Sequence, residues 1–454
     1  MDLAVTLRMD SRDPNPWRNL CGCLSAGPRW VDSAVVLAYA ALTGLTVVAF
    51  TLLAEWASDA HGHVRAWGAH GAWLVLLWTP AVTVAVLWLT RRHAAAAAGS
   101  GIPQVVLALD EDLPIAQRKR LVSLRLSFQK AGLVCGGLLA GLSIGREGPT
   151  VQVGAGIMQH ARQWLSPRAG IDSHDLMVAG AAAGIAAAFN TPLGGVVFAL
   201  EQLSRRRSMS HSALVIASIV LSGLVAVSVF GNLSYFGELR VQSLSWSLLG
   251  PGLLVAVSTG LAGGLFSRLV IASSGFLPGR INQWRAGMPL RFAAGCAFVV
   301  AVIGLVTDGA TSGAGYEPTR ALLQAQAELP VLYTPLKFCA TWLSAWTGVP
   351  AGVFAPSLAI GAGLGHDVAN LVGVPPDVAL PLIALGMVGF LSATTQGPIT
   401  AFIIVMEMVS GHTMVLSLMA TAMLSSALSR LISKPMYPEL ATQLAQRMQL
   451  SARS

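Results

Sequence analysis

Glu147 stands in the turn Gly145-Arg-Glu-Gly-Pro149, inside an apolar stretch of a 454-residue chain. A glycine-rich turn that opens a helix directs free N–H groups and a positive dipole end outward. Such a turn suits a small anion. A carboxylate placed in it competes with that anion for the same N–H groups. Once protonated, the carboxyl loses its charge and can swing aside, so one residue could gate an anion path and carry a proton. Two more turns offer related parts. In Gly99-Ser-Gly-Ile-Pro103, Ser100 adds a hydroxyl donor; in Gly352-Val-Phe-Ala-Pro356, Phe354 can wall a pathway. Proline near the first helical turn loses no needed donor. Dipoles hold an anion loosely enough for transit, whereas a fixed lysine or arginine holds it too tightly. The structural alternative for Glu147 is a salt bridge with the adjacent Arg146.

The elements that must position these turns lie in a membrane. Hydrophobic residues make up 54% of the chain and charged residues only 11%, with a mean hydropathy of +0.64; a soluble chain carries roughly a quarter of its residues charged. Apolar runs of bilayer-spanning length recur at Ser33–Leu53, Trp73–Leu89, Ala213–Phe230, Leu253–Ile271, Arg291–Val306 and Thr413–Leu431. The net charge is +8, but basic residues this sparse make no nucleic-acid surface. They cluster beside spans at Arg91–Arg92, Arg118–Arg120 and Arg205–Arg207, which marks cytoplasmic flanks. The N-terminal segment, with Arg8, Arg12, Arg18 and Arg29 and no early apolar run, is expected to carry no cleaved signal and to face the cytoplasm. Trp67, Trp73, Trp78 and Trp88 bracket one span as an interfacial belt does. His61, His63 and His70 are expected in a water-facing loop. The five cysteines show no metal or disulfide spacing, so no metal or cofactor is expected and they read as small packing residues.

The chain repeats itself. Pro149 and Pro356 are 207 residues apart, as are the glycines of Gly154-Ala-Gly and Gly361-Ala-Gly. Asn190-Thr-Pro192 leads to Glu201, and Gln396-Gly-Pro398 leads to Glu407, at an offset of 206. Arg205–Arg207 follow Glu201 whereas no basic residue follows Glu407 closely. Equivalent helix ends therefore face opposite sides, which predicts inverted repeats with a binding site near the midplane. Gly-Pro turns interrupting apolar sequence predict broken helices, tolerated only where buried in protein or lining a wet cavity. The expected class is an all-α polytopic membrane protein. It comprises a cytoplasmic segment (1–30), repeats over 31–232 and 245–433, and a C-terminal piece (434–454) with an inner-pore residue and a tail.

The three turns, in this order on a duplicated membrane chain, resemble the signature stretches of the CLC chloride channels and transporters, from about residue 30 to 440. The resemblance implies chloride transport, a homodimer with one pore per subunit, and a multi-pass protein of the cell (inner) membrane. It places Ser100 and Tyr437 at the inner end of the anion path. By the same resemblance the backbone at Arg146, Gly148, Val353 and Phe354 would form central anion sites, and Lys130 matches a basic residue buried in the family. With few residues beyond 440, the chain is similar to compact bacterial members. Proton-coupled members often carry an internal glutamate where this chain has Gln202, beside Glu201. Glutamine cannot titrate, so Glu201 or water loads the proton, or coupling is weak or absent. Glu201 is otherwise expected to pair with Lys130 or Arg205–Arg207, and Glu407 and Lys337 to pair within the bundle or sit near interfaces. Two transport readings stand, chloride/proton exchange and a passive gated channel. An intramembrane serine protease at Ser100 is the reading from another class, and His93 is a poor partner for it.

Overall fold

The computed structural model describes residues 27–453, except 168, 205–211, 232–235, 237–247, 276–279, 325, 327–328 and 331. Every regular element among the described residues is helical, as a bilayer requires of a chain that forms no closed barrel. Among the described residues, six helices are long and apolar enough to cross a membrane, and each contains one of the six apolar runs. Their outward faces carry large apolar side chains such as Leu77, Leu261, Leu416 and Leu431. Lipid, not water, is their solvent.

The first half runs α1 (Gly27–Arg65), α2 (Gly71–His93), α3 (Ile102–Ala108), α4 (Ile115–Leu121), α5 (Leu124–Leu139), α6 (Glu147–His160), α7 (Ser173–Phe189), α8 (Pro192–Phe198) and α9 (Ser212–Phe230). The second runs α10 (Leu249–Ser274), α11 (Arg280–Gly287), α12 (Pro289–Val306), α13 (Tyr316–Leu323), α14 (Tyr333–Trp346), α15 (Phe354–Val372), α16 (Pro376–Thr395), α17 (Pro398–Met408) and α18 (Val415–Ile432). A final helix, α19 (Met436–Arg453), follows. With Arg91–Arg92 at the inner end of α2, α1 runs outward. With Arg205–Arg207 before α9, α9 runs outward and α10 returns inward. The helices that open the two halves therefore run in opposite directions, and the repeats are inverted.

The halves match in atomic detail. α6 and α7 touch through Gly154 and Gly180, where an added Cβ would lie about 2 Å from the other's carbonyl; α15 and α16 touch in the same way through Gly361 and Gly386. Small residues let transmembrane backbones approach this closely. α7 ends on Asn190 and α16 on Gln396, both left-handed at φ 58° and 51°, and each reverses the chain into a proline-initiated helix. Glu407 accepts from the N–H groups of Leu193 (3.3 Å) and Gly194 (2.8 Å) at the start of α8. Glu201 accepts from Ile399 (3.1 Å) and Thr400 (2.8 Å) at the start of α17. Each half caps a helix of the other, the reciprocal contact of a twofold axis.

Three expectations are corrected. Glu201 and Glu407 hold helix N-termini; the Lys130 ammonium is bound instead to the carbonyls of Ala97 (2.7 Å) and Gly99 (2.6 Å), and Arg205–Arg207 lie outside the described residues. His61 and His63 belong to α1, and His61 is buried against Gly141, so its ring packs between helices and does not face water. Trp78 donates to the Leu139 carbonyl at 2.8 Å inside the bundle, while Trp67, Trp73 and Trp88 are exposed. Cys296 is buried but Cys339 faces outward from α14; Cys21 and Cys23 lie outside the described residues.

Candidate functional site

The three turns meet. Gly145 and Gly352 exchange both backbone hydrogen bonds, at 2.8 and 2.9 Å, which sets the N-termini of α6 and α15 against one another. Gly99 donates to the carbonyl of Val349 (3.3 Å) and accepts from Ala351 (3.1 Å), which ties in the turn before α3. Gly148 shows how tight the junction is: a Cβ there would sit 2.4 Å from the Ser100 hydroxyl. Gly101, at φ 101°, takes a conformation that few other residues adopt.

Side chains behind the turns occupy the carbonyls and leave the N–H groups facing the junction. Gln152 donates to Leu121 and Ala96, Gln104 to Ala98, and buried Lys130 to Ala97 and Gly99. The second half repeats the device. Lys337, 207 residues after Lys130, donates to the carbonyls of Thr311 (2.9 Å) and Gly313 (2.8 Å). Gly313-Ala-Gly315-Tyr316 is thus the counterpart of Gly99-Ser-Gly101-Ile102. Lys337 is a carbonyl clamp and not half of an ion pair.

Glu147 is fully buried at the first residue of α6. One carboxylate oxygen accepts from the N–H of Ala355 at 3.4 Å, at the start of α15, and the other accepts from the Tyr316 hydroxyl. Arg146 is not its partner: the guanidinium reaches Glu55 at 3.1 Å and lies 5.2 Å from the centre of the Tyr316 ring. On the outer side, Arg146, Tyr316 and Glu55 line an open cavity of about 1110 Å³.

Toward the inner side, Tyr437 at the start of α19 stacks on Phe354, with ring centres 6.0 Å apart and planes 11° apart. Phe189 and Phe198 pack on the same Phe354 ring. The hydroxyls of Ser100 and Tyr437 are neighbours, buried, and without a partner at hydrogen-bonding geometry. Two buried hydroxyls beside helix N-termini are groups chemically able to donate to an anion. Val353 and Phe354, at the start of α15, lie between this pair and Glu147 along the chain of contacts. The structure therefore brings Ser100, Gly148, Val353, Phe354, Tyr437 and Glu147 together around one junction. Gln202 lies apart from them, on one turn of π-helix (Ala199–Leu203), with its amide against Gly397 at the start of α17. His93 packs edge-on against Trp88, which leaves no support for hydrolytic chemistry at Ser100.

Sequence reasoning missed Tyr316. Its signal was the Gly-x-Gly of 313–315, readable as a partner of 99–101 once Lys130 and Lys337 are matched.

The family described as "Voltage gated chloride channel" matches residues 82–430. The H(+)/Cl(-) exchange transporter ClcA of Salmonella paratyphi A is 28% identical over 416 residues, covering 87% of this chain and 85% of the relative. ClcA of Vibrio parahaemolyticus serotype O3:K6 is 28% identical over 384 residues, covering 80% and 79%. Among solved structures, a slow cyanobacterial Cl-/H+ antiporter superposes with a TM-score of 0.75 at 22% identity, over 91% of this chain and 97% of that one. A CLC-type fluoride/proton antiporter superposes at 0.72 and 23% identity, over 90% and 97%.

Proposed function

The chain belongs to the voltage-gated chloride channel family, one of transporters and channels and not of enzymes, and from that premise we propose that it exchanges chloride for protons across a bacterial inner membrane. The carrying observation is the Glu147 carboxylate on the Ala355 N–H, in the place an anion would take at the start of α15. Chloride enters from the cytoplasm past the hydroxyls of Ser100 and Tyr437. It passes the N–H groups at Val353 and Phe354, and displaces Glu147, which leaves with a proton. The names of the ClcA relatives support exchange. Gln202 argues for looser coupling, since it cannot pass a proton inward.

The working unit is proposed to be a homodimer. α9 and α18 leave apolar side chains outside the subunit, among them Leu224, Leu416 and Met423. Each subunit carries its own complete path.

Purified protein in chloride-loaded liposomes tests the proposal, with chloride efflux and proton movement followed together. Protons driven against their gradient by chloride are the expected result. Chloride efflux with no proton movement would make the protein a passive gated channel, with Gln202 as the reason. A second experiment separates the two candidate proton loaders. Glu201 caps α17, so Glu201→Gln should lower the thermal denaturation midpoint and leave the proton-to-chloride ratio unchanged. A fall in that ratio would show that Glu201 loads the proton.

A further inference from the structure

A cavity of about 570 Å³ lies between the inner end of α2 and the start of α12. Trp88, Arg91 and Arg92 line it from α2; Pro289, Leu290 and Arg291 line it from α12. Trp88 and the three arginines are exposed, so the cavity belongs to the outer surface of the subunit. One Arg291 nitrogen lies 3.4 Å from the Met288 sulfur, a weak acceptor that spends little of the guanidinium. The level of the cavity identifies its surroundings. Arg91–Arg92 mark the cytoplasmic end of α2, and an exposed indole sits where headgroups meet hydrocarbon. Toward the bilayer centre the outward stripe of α2 continues through Ala85, Ala81 and Leu77, all exposed and on one helix face. The two alanines leave a shallow channel about 16 Å long between Trp88 and Leu77. On α12, exposed Phe298 stands two turns beyond Arg291 on the same face.

We infer that this cavity binds an anionic phospholipid, with the headgroup phosphate on Arg91, Arg92 and Arg291 and one acyl chain along Ala85, Ala81 and Leu77. Guanidinium forks match phosphoryl oxygens two at a time. Cations from two helices favour an anionic headgroup over a zwitterionic one, whose own ammonium they repel. A soluble phosphate would gain the guanidiniums but leave Trp88 and the alanine channel uncovered. A lipid covers both, because its two ends have the two chemistries that the surface presents. The bound lipid ties α2 to α12 at the cytoplasmic interface. Arg92 stands eight residues before Ser100, so the tie holds the helix from which the inner chloride turn departs. The site lies outside the bundle and beside the anion path, and it stands whether the protein is an exchanger or a channel.

The test titrates purified, delipidated full-length protein in detergent with phosphatidylglycerol or with phosphatidylcholine of the same chains, and reads bound lipid by native mass spectrometry. Phosphatidylglycerol should bind about tenfold more tightly or more. The double variant Arg92→Gln/Arg291→Gln should lose that preference, and Lys119→Gln, which removes an exposed cation on α4, should keep it. The arginines are exposed, so the variant should fold, and an unchanged thermal denaturation midpoint without lipid checks that it does. Equal binding of the two lipids by the wild type overturns the inference. So does a preference that survives in the double variant, or one lost equally in Lys119→Gln. Glycerol 3-phosphate, a headgroup without chains, separates the two sources of phosphate. A rise in midpoint as large as that from the same concentration of phosphatidylglycerol would assign a soluble anion and overturn the lipid.

Discussion

Glu147→Gln should leave chloride efflux running, abolish coupled proton movement and flatten the dependence of efflux on pH. The glutamine amide fits the same space, with its oxygen accepting from the Ala355 N–H and its NH2 group donating to the Tyr316 hydroxyl oxygen, so the junction of α6 and α15 should survive. What it loses is charge. A neutral amide competes weakly with chloride for the N–H groups at the start of α15, because a bond to a charged acceptor is roughly twice as strong as a neutral one. It also cannot take a proton from one side and give it to the other. In the wild type, efflux should rise as pH falls, since a protonated carboxyl stops competing; in the variant that rise should vanish. Dual recording of chloride and pH in liposomes from pH 7.5 to 4.5 checks this. Efflux and pH dependence that match the wild type would remove Glu147 from the mechanism.

The membrane class, the repeats and their inversion were legible because each rests on a strong physical constraint. A bilayer demands long apolar helices, and one charge cluster, Arg205–Arg207, orients equivalent helices oppositely. That the turns carrying Ser100, Glu147 and Phe354 would converge was legible because glycine-proline turns in apolar sequence have few structural uses. The partners of the charged residues were not legible. Lys130 and Lys337 look like halves of ion pairs, yet each clamps two carbonyls. Glu201 and Glu407, 206 positions apart, each cap a helix of the other half. Pairing by charge is the natural guess from sequence, but in a bundle of broken helices the abundant unmatched partners are backbone groups, and charges go there first. His61 was misplaced because a helix can continue past its apolar run when a neighbour, here Gly141, makes room for a ring.

Tyr316→Phe should raise chloride efflux near neutral pH and reduce the further gain on acidification. The Tyr316 hydroxyl donates to the Glu147 carboxylate from the outer side, while the Ala355 N–H holds it at α15. Phenylalanine keeps the ring, and with it the packing against Phe236 and the face beneath Arg146, so the fold loses nothing but one donor. A hydrogen bond to a charged group contributes about 1.5–3 kcal/mol. Withdrawing it shifts the carboxylate away from its closed position by roughly tenfold or more, since every 1.4 kcal/mol is a factor of ten. Glu147 then leaves the anion's place without first being protonated. Chloride should therefore slip through uncoupled, and the proton-to-chloride ratio should fall as efflux rises. The two measurements together separate a loosened gate from a damaged protein, because misfolding lowers efflux whereas a loosened gate raises it. Efflux and ratio both at wild-type values would show that Tyr316 only lines the outer cavity and that Ala355 alone holds the gate shut.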